Sequence, residues 1–184
     1  MGIKVNQETL QMIADLSNAR GASGFEDETV QAAAKHIGEG YTTEEDCLRN
    51  FYMYRTANSG NKPVFMLDAH SDEVGFMVHS IRPNGTLRFV ALGGWNVGSL
   101  ASSKVLVRNS EGKYLPGVIA AKPVHFMSAS EKASAGAADI SSLSIDIGAV
   151  SAKDAAENFK IRIGEPGVPD VTLEYDEEHD LMFG

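Results

Sequence analysis

Residues 64–73 read VFMLDAHSDE, a short apolar run followed at once by a polar segment. The first four residues are apolar, which is typical of a strand covered on both faces, as in an α/β sheet. Asp68, His70 and Asp72 follow at alternate positions, so in an extended chain their side chains share one face. In open α/β sheets, ligands bind where the strands end at their carboxyl side. The stretch therefore predicts a buried strand whose end carries a candidate binding site.

The imidazole of His70 is the most chemically distinctive group of this stretch. A neutral imidazole is a good ligand for a divalent transition metal, and a carboxylate two residues away, on Asp72, can orient it. A polar cluster at the end of a strand is, however, usually only the place where the chain reaches water. A catalytic metal also typically needs three protein ligands. Residue types and spacing alone leave both interpretations open.

The residues before this stretch predict two helices. Apolar residues at helical spacing indicate an amphipathic helix over 7–19. Ser23, followed three residues later by Glu26, has the form of a capping box. A second helix is therefore predicted over about 25–38.

From residue 41 onwards the pattern favours strands. Residues 42–46 and 50–56 are rich in tyrosine, phenylalanine and threonine, which favour strands. Two hairpins follow, each with turn residues between its strands. Short strands at close spacing, with no helix between them, suggest a small barrel or sandwich. The hairpins are predicted at 75–81 with 87–92 around Pro83-Asn84-Gly85, and at 104–108 with 114–120 around Ser110-Glu111-Gly112.

The last third of the chain begins with a segment, 127–139, that is small and polar and lacks an apolar stripe. Such a segment is typical of a mobile loop. Three further elements are predicted after it: an alternating strand, a capped helix and a late strand. They are placed at Leu143, Ile145 and Ile147, at Ser151 with residues 152–159, and at 171–175.

Composition and charge limit the class of protein. The chain has 184 residues, of which 43% are hydrophobic and 22% charged, as in soluble globular proteins. Its formal net charge of −9 argues against nucleic acid or an anionic membrane surface as partner. The single cysteine, Cys47, cannot form an internal disulfide and is predicted to be a buried structural residue. No secretory signal or membrane span is recognisable, so we expect a cytoplasmic protein.

Five segments, in a fixed order along almost the whole chain, resemble those of one known family. They are GASGFE at 21–26, MLDAHSDEVGFMV at 66–78, ALGGW at 91–95, PGVIAAKPVH at 116–125 and IDIGA at 145–149. The family is that of the glutamyl aminopeptidase and cellulase-like metallopeptidases (metallopeptidase family forty-two, the tetrahedral aminopeptidases). One such segment would be a weak signal, whereas five in the same order are specific.

The resemblance implies an α/β fold class. It would be a truncated zinc-exopeptidase-like α/β domain, interrupted by an inserted β-rich small barrel that serves oligomerisation. The partial α/β peptidase domain would comprise residues 1–73 and 165–184. The inserted oligomerisation domain would comprise residues 74–164, the section in which the strand pattern itself predicts hairpins.

The resemblance also implies a site. The family's first metal ligand falls on His70, and the aspartate that supports catalysis falls on Asp72. Two divalent ions, zinc or cobalt, would activate a water for attack on the first bond of a peptide substrate. Asp68 and His125 are weaker candidates for touching substrate or supporting the site. The family's remaining ligands and its general-base glutamate fall beyond Gly184, so we expect this chain to supply one ligand and to be inactive alone.

Two functional hypotheses follow. In the first, the chain is part of a metal-dependent aminopeptidase that forms a homo-oligomer through its β-rich insertion. In the second, it is a non-catalytic assembly or dimerisation module derived from that family. Metal-dependent peptide cleavage by the purified chain would distinguish them. Neither hypothesis includes a nucleic acid or membrane partner.

Overall fold

A computed structural model describes residues 5–58, 60–61, 63–129 and 139–184. The loop predicted at 127–139 lies mostly outside these residues.

The described elements comprise helices α1 to α3 and strands β1 to β10. None of these helices is long and apolar enough to cross a membrane. In chain order they are α1 (Gln7–Asn18), α2 (Asp27–Lys35), β1 (Tyr41–Glu45), β2 (Phe51–Arg55), β3 (Gly75–Ile81), β4 (Leu87–Leu92), β5 (Lys104–Arg108), β6 (Tyr114–Ala120), β7 (Ser144–Asp146), α3 (Ala152–Glu157), β8 (Pro166–Pro169), β9 (Glu174–Asp176) and β10 (Leu181–Phe183). Short 3-10 helices lie at Val97–Ser99, Val124–Phe126 and Ile140–Ser142.

The chain divides into two compact units, Met1–Asp72 with Thr172–Gly184, and Glu73–Val171. The first unit contains α1, α2 and two antiparallel hairpins, β1–β2 and β9–β10. Both predicted helices are present, although α2 is shorter than expected. An ion pair of 2.8 Å between His36 Nε2 and Asp15 Oδ2 joins the two helices.

The buried strand predicted at 64–67 is wrong. Residues 63–72 have no regular secondary structure, and the four apolar side chains at 64–67 are between 76% and 86% exposed. A buried strand needs neighbours for its backbone hydrogen bonds and a layer over each face. None of the described strands pairs with this segment, so the apolar run alone could not determine its burial.

Cys47 also departs from expectation. It is a free cysteine and is exposed, so the prediction of a buried structural residue is wrong. It lies in the turn between β1 and β2, and every side chain of β1 is exposed. The hairpin therefore offers no interior in which a small thiol could pack.

The second unit is a closed barrel of six strands in the order β3-β4-β7-β6-β5-β8, with all neighbours antiparallel. Both predicted hairpins are confirmed, as is the alternating strand around β7. Each large apolar side chain that is buried inside the barrel contributes roughly 1.5–3 kcal/mol to folding. The core of the barrel includes the buried side chains of Phe76, Val78, Leu87, Phe89, Leu100, Val105, Val107, Ile119, Leu143, Ile145, Ile147 and Ile161.

The barrel includes β8, which pairs with both β3 and β5. Residues 165–184 are predicted from the sequence to belong to the α/β part, whereas β8, at Pro166–Pro169, belongs to the barrel. The compact unit is Glu73–Val171 rather than 74–164. Its assignment as an inserted oligomerisation domain stays a prediction.

Candidate functional site

His70 lies in the irregular segment 63–72, and its ring is oriented by the backbone and side chain of one residue. The Nδ1 atom is 2.9 Å from the carbonyl oxygen of Asp72 and 3.1 Å from its Oδ1. Both of these groups are acceptors, so Nδ1 must carry the proton and donate. In the neutral ring the lone pair is therefore on Nε2. The His70 side chain is 85% exposed, and its Nε2 has no hydrogen-bond partner among the described residues.

The carboxylate of Asp72 is held from two sides. Its Oδ1 accepts from His70, and its Oδ2 accepts a short hydrogen bond from the Ser23 hydroxyl, 49 residues away in the chain. The hydrogen bond from Ser23 is the main cause of the lowered pKa of Asp72. The bond from His70 lowers this pKa further, whereas partial burial opposes both. Asp72 is therefore a carboxylate at neutral pH and can only accept hydrogen bonds.

Ser23 stands at the corner of a tight turn. The backbone N–H of Phe25 donates to the carbonyl of Ala22 over 2.7 Å, and Gly24 has φ +87°. A positive φ at the third residue is typical of a type II turn, which favours glycine there. The turn places the Ser23 side chain where it reaches Asp72.

The capping box predicted for Ser23 and Glu26 is wrong. The Ser23 hydroxyl donates to Asp72, and helix α2 begins at Asp27. The Glu26 carboxylate instead accepts from the backbone N–H of Gly24 over 2.7 Å. A capping serine accepts a backbone N–H of the first helical turn, but the N-cap residue of α2 is Glu26 and no side chain caps this helix. Ser23 is thus a site residue that the sequence analysis interpreted only as a helix cap.

The other two candidate residues are not brought to His70 by any described contact. Asp68 is exposed and forms no hydrogen bond or ion pair with the described residues. His125 is exposed in the short 3-10 helix Val124–Phe126 of the barrel unit. Their roles stay predictions, as do those of His70 and Asp72.

His70 and Asp72 can supply one ligand of a metal site and the group that orients this ligand. His70 presents a free Nε2 lone pair, and Asp72 provides the partner that a metal-binding imidazole usually has on its other nitrogen. Within residues 5–58, 60–61, 63–129 and 139–184, no three His, Cys, Asp or Glu side chains gather as a metal site would require. These residues therefore do not complete such a site by themselves.

The sequence of this chain matches that of a known protein family. A match to the M42 glutamyl aminopeptidase family covers residues 50–182. The chain belongs to this family. The M42 assignment agrees with the resemblance carried by the five sequence segments.

Curated relatives are similar to this chain over part of their length. The glutamyl aminopeptidase of Lactococcus lactis subsp. cremoris is 34% identical over 121 residues, which are 65% of this chain and 34% of the relative. The lysyl aminopeptidase of Pyrococcus furiosus is 34% identical over 108 residues, 59% of this chain and 30% of the relative. The chain thus aligns with about a third of each of these curated relatives.

A solved structure shares the fold. A TET aminopeptidase from the marine sediment archaeon Thaumarchaeota archaeon SCGC AB-539-E09 superposes with a TM-score of 0.82 at 30% identity. The superposition covers 92% of this chain and 46% of that protein. The mixed α/β structure with its six-stranded barrel is therefore similar to a TET aminopeptidase fold.

Proposed function

We propose that the protein to which this chain contributes is a metal-dependent aminopeptidase that removes N-terminal residues from peptides. Membership of the M42 family and the aminopeptidase names of its relatives support this proposal. The single structural observation that carries it is the orientation of His70, whose Nδ1 is hydrogen-bonded to Asp72 while the side chain as a whole is 85% exposed.

His70 and Asp72 are the residues of this chain that would support a bound metal. Bound divalent ions, zinc or cobalt, would supply Lewis acidity and a water activated for attack on the first peptide bond. His70 would donate one nitrogen ligand through Nε2. Asp72 would accept the proton of Nδ1, which fixes the tautomer that leaves Nε2 free. Asp68 and His125 are retained as candidates for contact with substrate.

The 184-residue chain by itself is expected to show no appreciable turnover. A catalytic zinc site typically uses three protein ligands, and His70 provides one. The check is to incubate the purified chain with glutamyl and lysyl 4-nitroanilides, with zinc or cobalt added. Clear metal-dependent release of nitroaniline would overturn the expectation that the chain alone is inactive.

A chimera tests the aminopeptidase proposal itself. The chain would be joined to the carboxyl-terminal part of the archaeal TET aminopeptidase that it does not cover. We expect peptidase activity that a chelator removes and that zinc or cobalt restores. His70→Ala should lower it by about 100-fold or more, because removing even a residue that supports a ligand costs 10–100-fold. Ser71→Ala, next to it in the chain, is the matched control.

The outcome that contradicts the proposal is a chimera whose His70→Ala variant keeps full activity. An inactive chimera would be examined by circular dichroism, and a folded but inactive protein would also count against the proposal. The alternative of a non-catalytic assembly module has no observation that favours it.

We also propose a homo-oligomer assembled through the barrel unit. A Pyrococcus horikoshii TET1 peptidase, 24% identical and with a TM-score of 0.71, is described as assembling into a tetrahedron or a large octahedral shell. At that identity the likeness is one of fold, so the proposal depends on M42 membership. Native mass spectrometry of the chain tests it, and a monomer at all concentrations would contradict it.

We propose a cytoplasmic location, as expected from the sequence. Fractionation of cells that express the native gene, followed by immunoblotting, tests this. Recovery of the protein with membranes or from the medium would contradict it.

A further inference from the structure

We propose that Ser23 is a positioning residue for His70. Its hydroxyl anchors the Asp72 carboxylate, and the anchored carboxylate fixes the tautomer and direction of the imidazole. The value of this arrangement for metal binding rests on the proposed function. Ser23 and His70 each donate a hydrogen bond to Asp72, and we call this pair of bonds the relay. The relay itself does not depend on the proposed function.

The geometry separates the two oxygens of the Asp72 carboxylate. Oδ2 accepts from the Ser23 hydroxyl, and Oδ1 lies 3.1 Å from His70 Nδ1. The Asp72 side chain is 38% exposed, so water competes for both oxygens. With Oδ2 tied to Ser23, rotation of the carboxylate is restricted and Oδ1 stays directed at the imidazole.

Ser23 is itself held in place by the close approach of two backbone segments. A Cβ added at Gly21 would lie 3.3 Å from the carbonyl oxygen of Ser71 and would collide with the Thr29 hydroxyl. The loop that begins at Gly21 therefore packs directly against the segment that carries His70. Ala22, between Gly21 and Ser23, is completely buried.

This rigidity matters for the relay. Ordering a side chain costs conformational entropy, and the cost is smaller when the backbone that carries it is already fixed. The turn at residues 22–25 fixes the backbone of Ser23, so forming the bond to Asp72 requires little beyond the choice of one rotamer. The Ser23 hydroxyl can therefore keep its hydrogen bond to the partly exposed Asp72 carboxylate in competition with water.

The imidazole has a second acceptor, which sets how large an effect to expect. The carbonyl oxygen of Asp72 lies 2.9 Å from Nδ1 and remains when Ser23 is changed. Loss of the Ser23 hydroxyl should therefore weaken the preference for the Nδ1–H tautomer without abolishing it. The ring should also sample more orientations.

The test uses the 184-residue chain labelled with ¹⁵N-histidine. Long-range ¹H–¹⁵N spectra at a pH of about 8, above the ordinary histidine pKa of about 6.5, report which ring nitrogen carries the proton. The variants are Ser23→Ala, which removes the hydroxyl, and Ser23→Thr, which restores one. Ser71→Ala is the matched control, since the Ser71 side chain has no hydrogen bond among the described residues.

The native chain, Ser23→Thr and Ser71→Ala should show two well-separated ring-nitrogen shifts for His70, with the proton on Nδ1. Ser23→Ala should bring the two shifts toward each other. If Ser23→Ala lowers thermal stability but leaves both shifts unchanged, the hydroxyl serves only as a structural bond and the proposal is wrong. An effect of the same size in Ser71→Ala would also overturn it.

Failure of this proposal and failure of the proposed function are distinguishable. The tautomer measurement needs neither metal nor catalysis, so it reports the relay alone. If the relay is present but His70→Ala leaves the chimera fully active, the relay stands and the aminopeptidase role of His70 falls.

Discussion

The indole of Trp95 stacks on the ring of Phe76, with centroids 4.7 Å apart and planes inclined by 14°. The indole N–H donates to the carbonyl oxygen of Gly75 over 3.0 Å, which anchors the polar end of the side chain. The contacts to Phe76 and Gly75 explain the partial burial that is observed.

Phe76→Ala is expected to destabilise the barrel unit by about 3–5 kcal/mol, because it removes a fully buried aromatic ring and leaves a cavity. Urea unfolding followed by the fluorescence of Trp95, the single tryptophan, measures the change. The matched control is Val90→Ala on the neighbouring strand β4, where the side chain is 42% exposed and the expected cost is about 0.5 kcal/mol. Equal costs for the two variants would contradict the buried stack.

Asn109→Ala is expected to cost about 2–3 kcal/mol. The Asn109 side chain is buried, accepts from the backbone N–H groups of Glu111 and Lys113, and donates to the carbonyl of Phe159. Each lost hydrogen bond costs about 1 kcal/mol. Asn158→Ala, which removes an exposed hydrogen bond to Asp154, should stay within about 0.5 kcal/mol in the same urea experiment.

The turn between β1 and β2 should loosen at acidic pH. Hydrogen bonds from Asn50, with its side chain as the largest cause, lower the pKa of Asp46 below its ordinary value. A folded-state pKa that is lowered stabilises the turn above the unfolded value of about 3.9, and this stabilisation is lost as the pH falls through the folded value. The amide shifts of Leu48 and Asn50, whose N–H groups donate to Asp46 Oδ1, should therefore titrate with a midpoint below the ordinary aspartate pKa.

The control for that titration is Asp46→Asn, which keeps an acceptor at Oδ1 but cannot titrate. Its amide shifts should stay flat over the same range of acidic pH. A midpoint at or above the ordinary aspartate value in the native chain would mean that the bonds to Asp46 are not formed in solution.

Phe65→Ala should change the stability of this chain by no more than about 0.5 kcal/mol, because the Phe65 side chain is 86% exposed. Phe89→Ala, which truncates a buried ring of the barrel, should cost about 3–5 kcal/mol. Thermal unfolding followed by circular dichroism compares the two. A cost for Phe65→Ala close to that for Phe89→Ala would contradict the exposed placement of residues 64–67.

The parts of the fold that the sequence predicted well depend on local chemistry. The strands β3 and β4 follow from Pro83-Asn84-Gly85, and Ser151 caps α3 by accepting from the backbone N–H of Asp154, as expected. The turn residues and the cap lie within a few positions of the element that they define. Neighbouring residues therefore carry enough information to place those elements.

The predictions that were wrong concern features that depend on residues distant in the sequence. Whether residues 64–67 are buried is decided by the strands and layers around them, which an apolar run cannot specify. Ser23 and Asp72 are 49 positions apart, so no spacing rule links them. The local capping-box pattern supplied a plausible but wrong partner for the same hydroxyl. His70 and Asp72, two positions apart, are in contact, whereas Asp68 has no described contact with either.

The closure of the barrel limits how copies of this unit can associate. An open sheet has two outer strands with free N–H and C=O groups, and another chain can extend such a sheet by adding a strand. Here β3 and β5 both bond to β8, so the ring of strands is complete. Where neighbouring strands are paired their backbone groups are occupied, so a contact at those positions relies on side chains, and its specificity can be changed by point substitution without rebuilding the backbone.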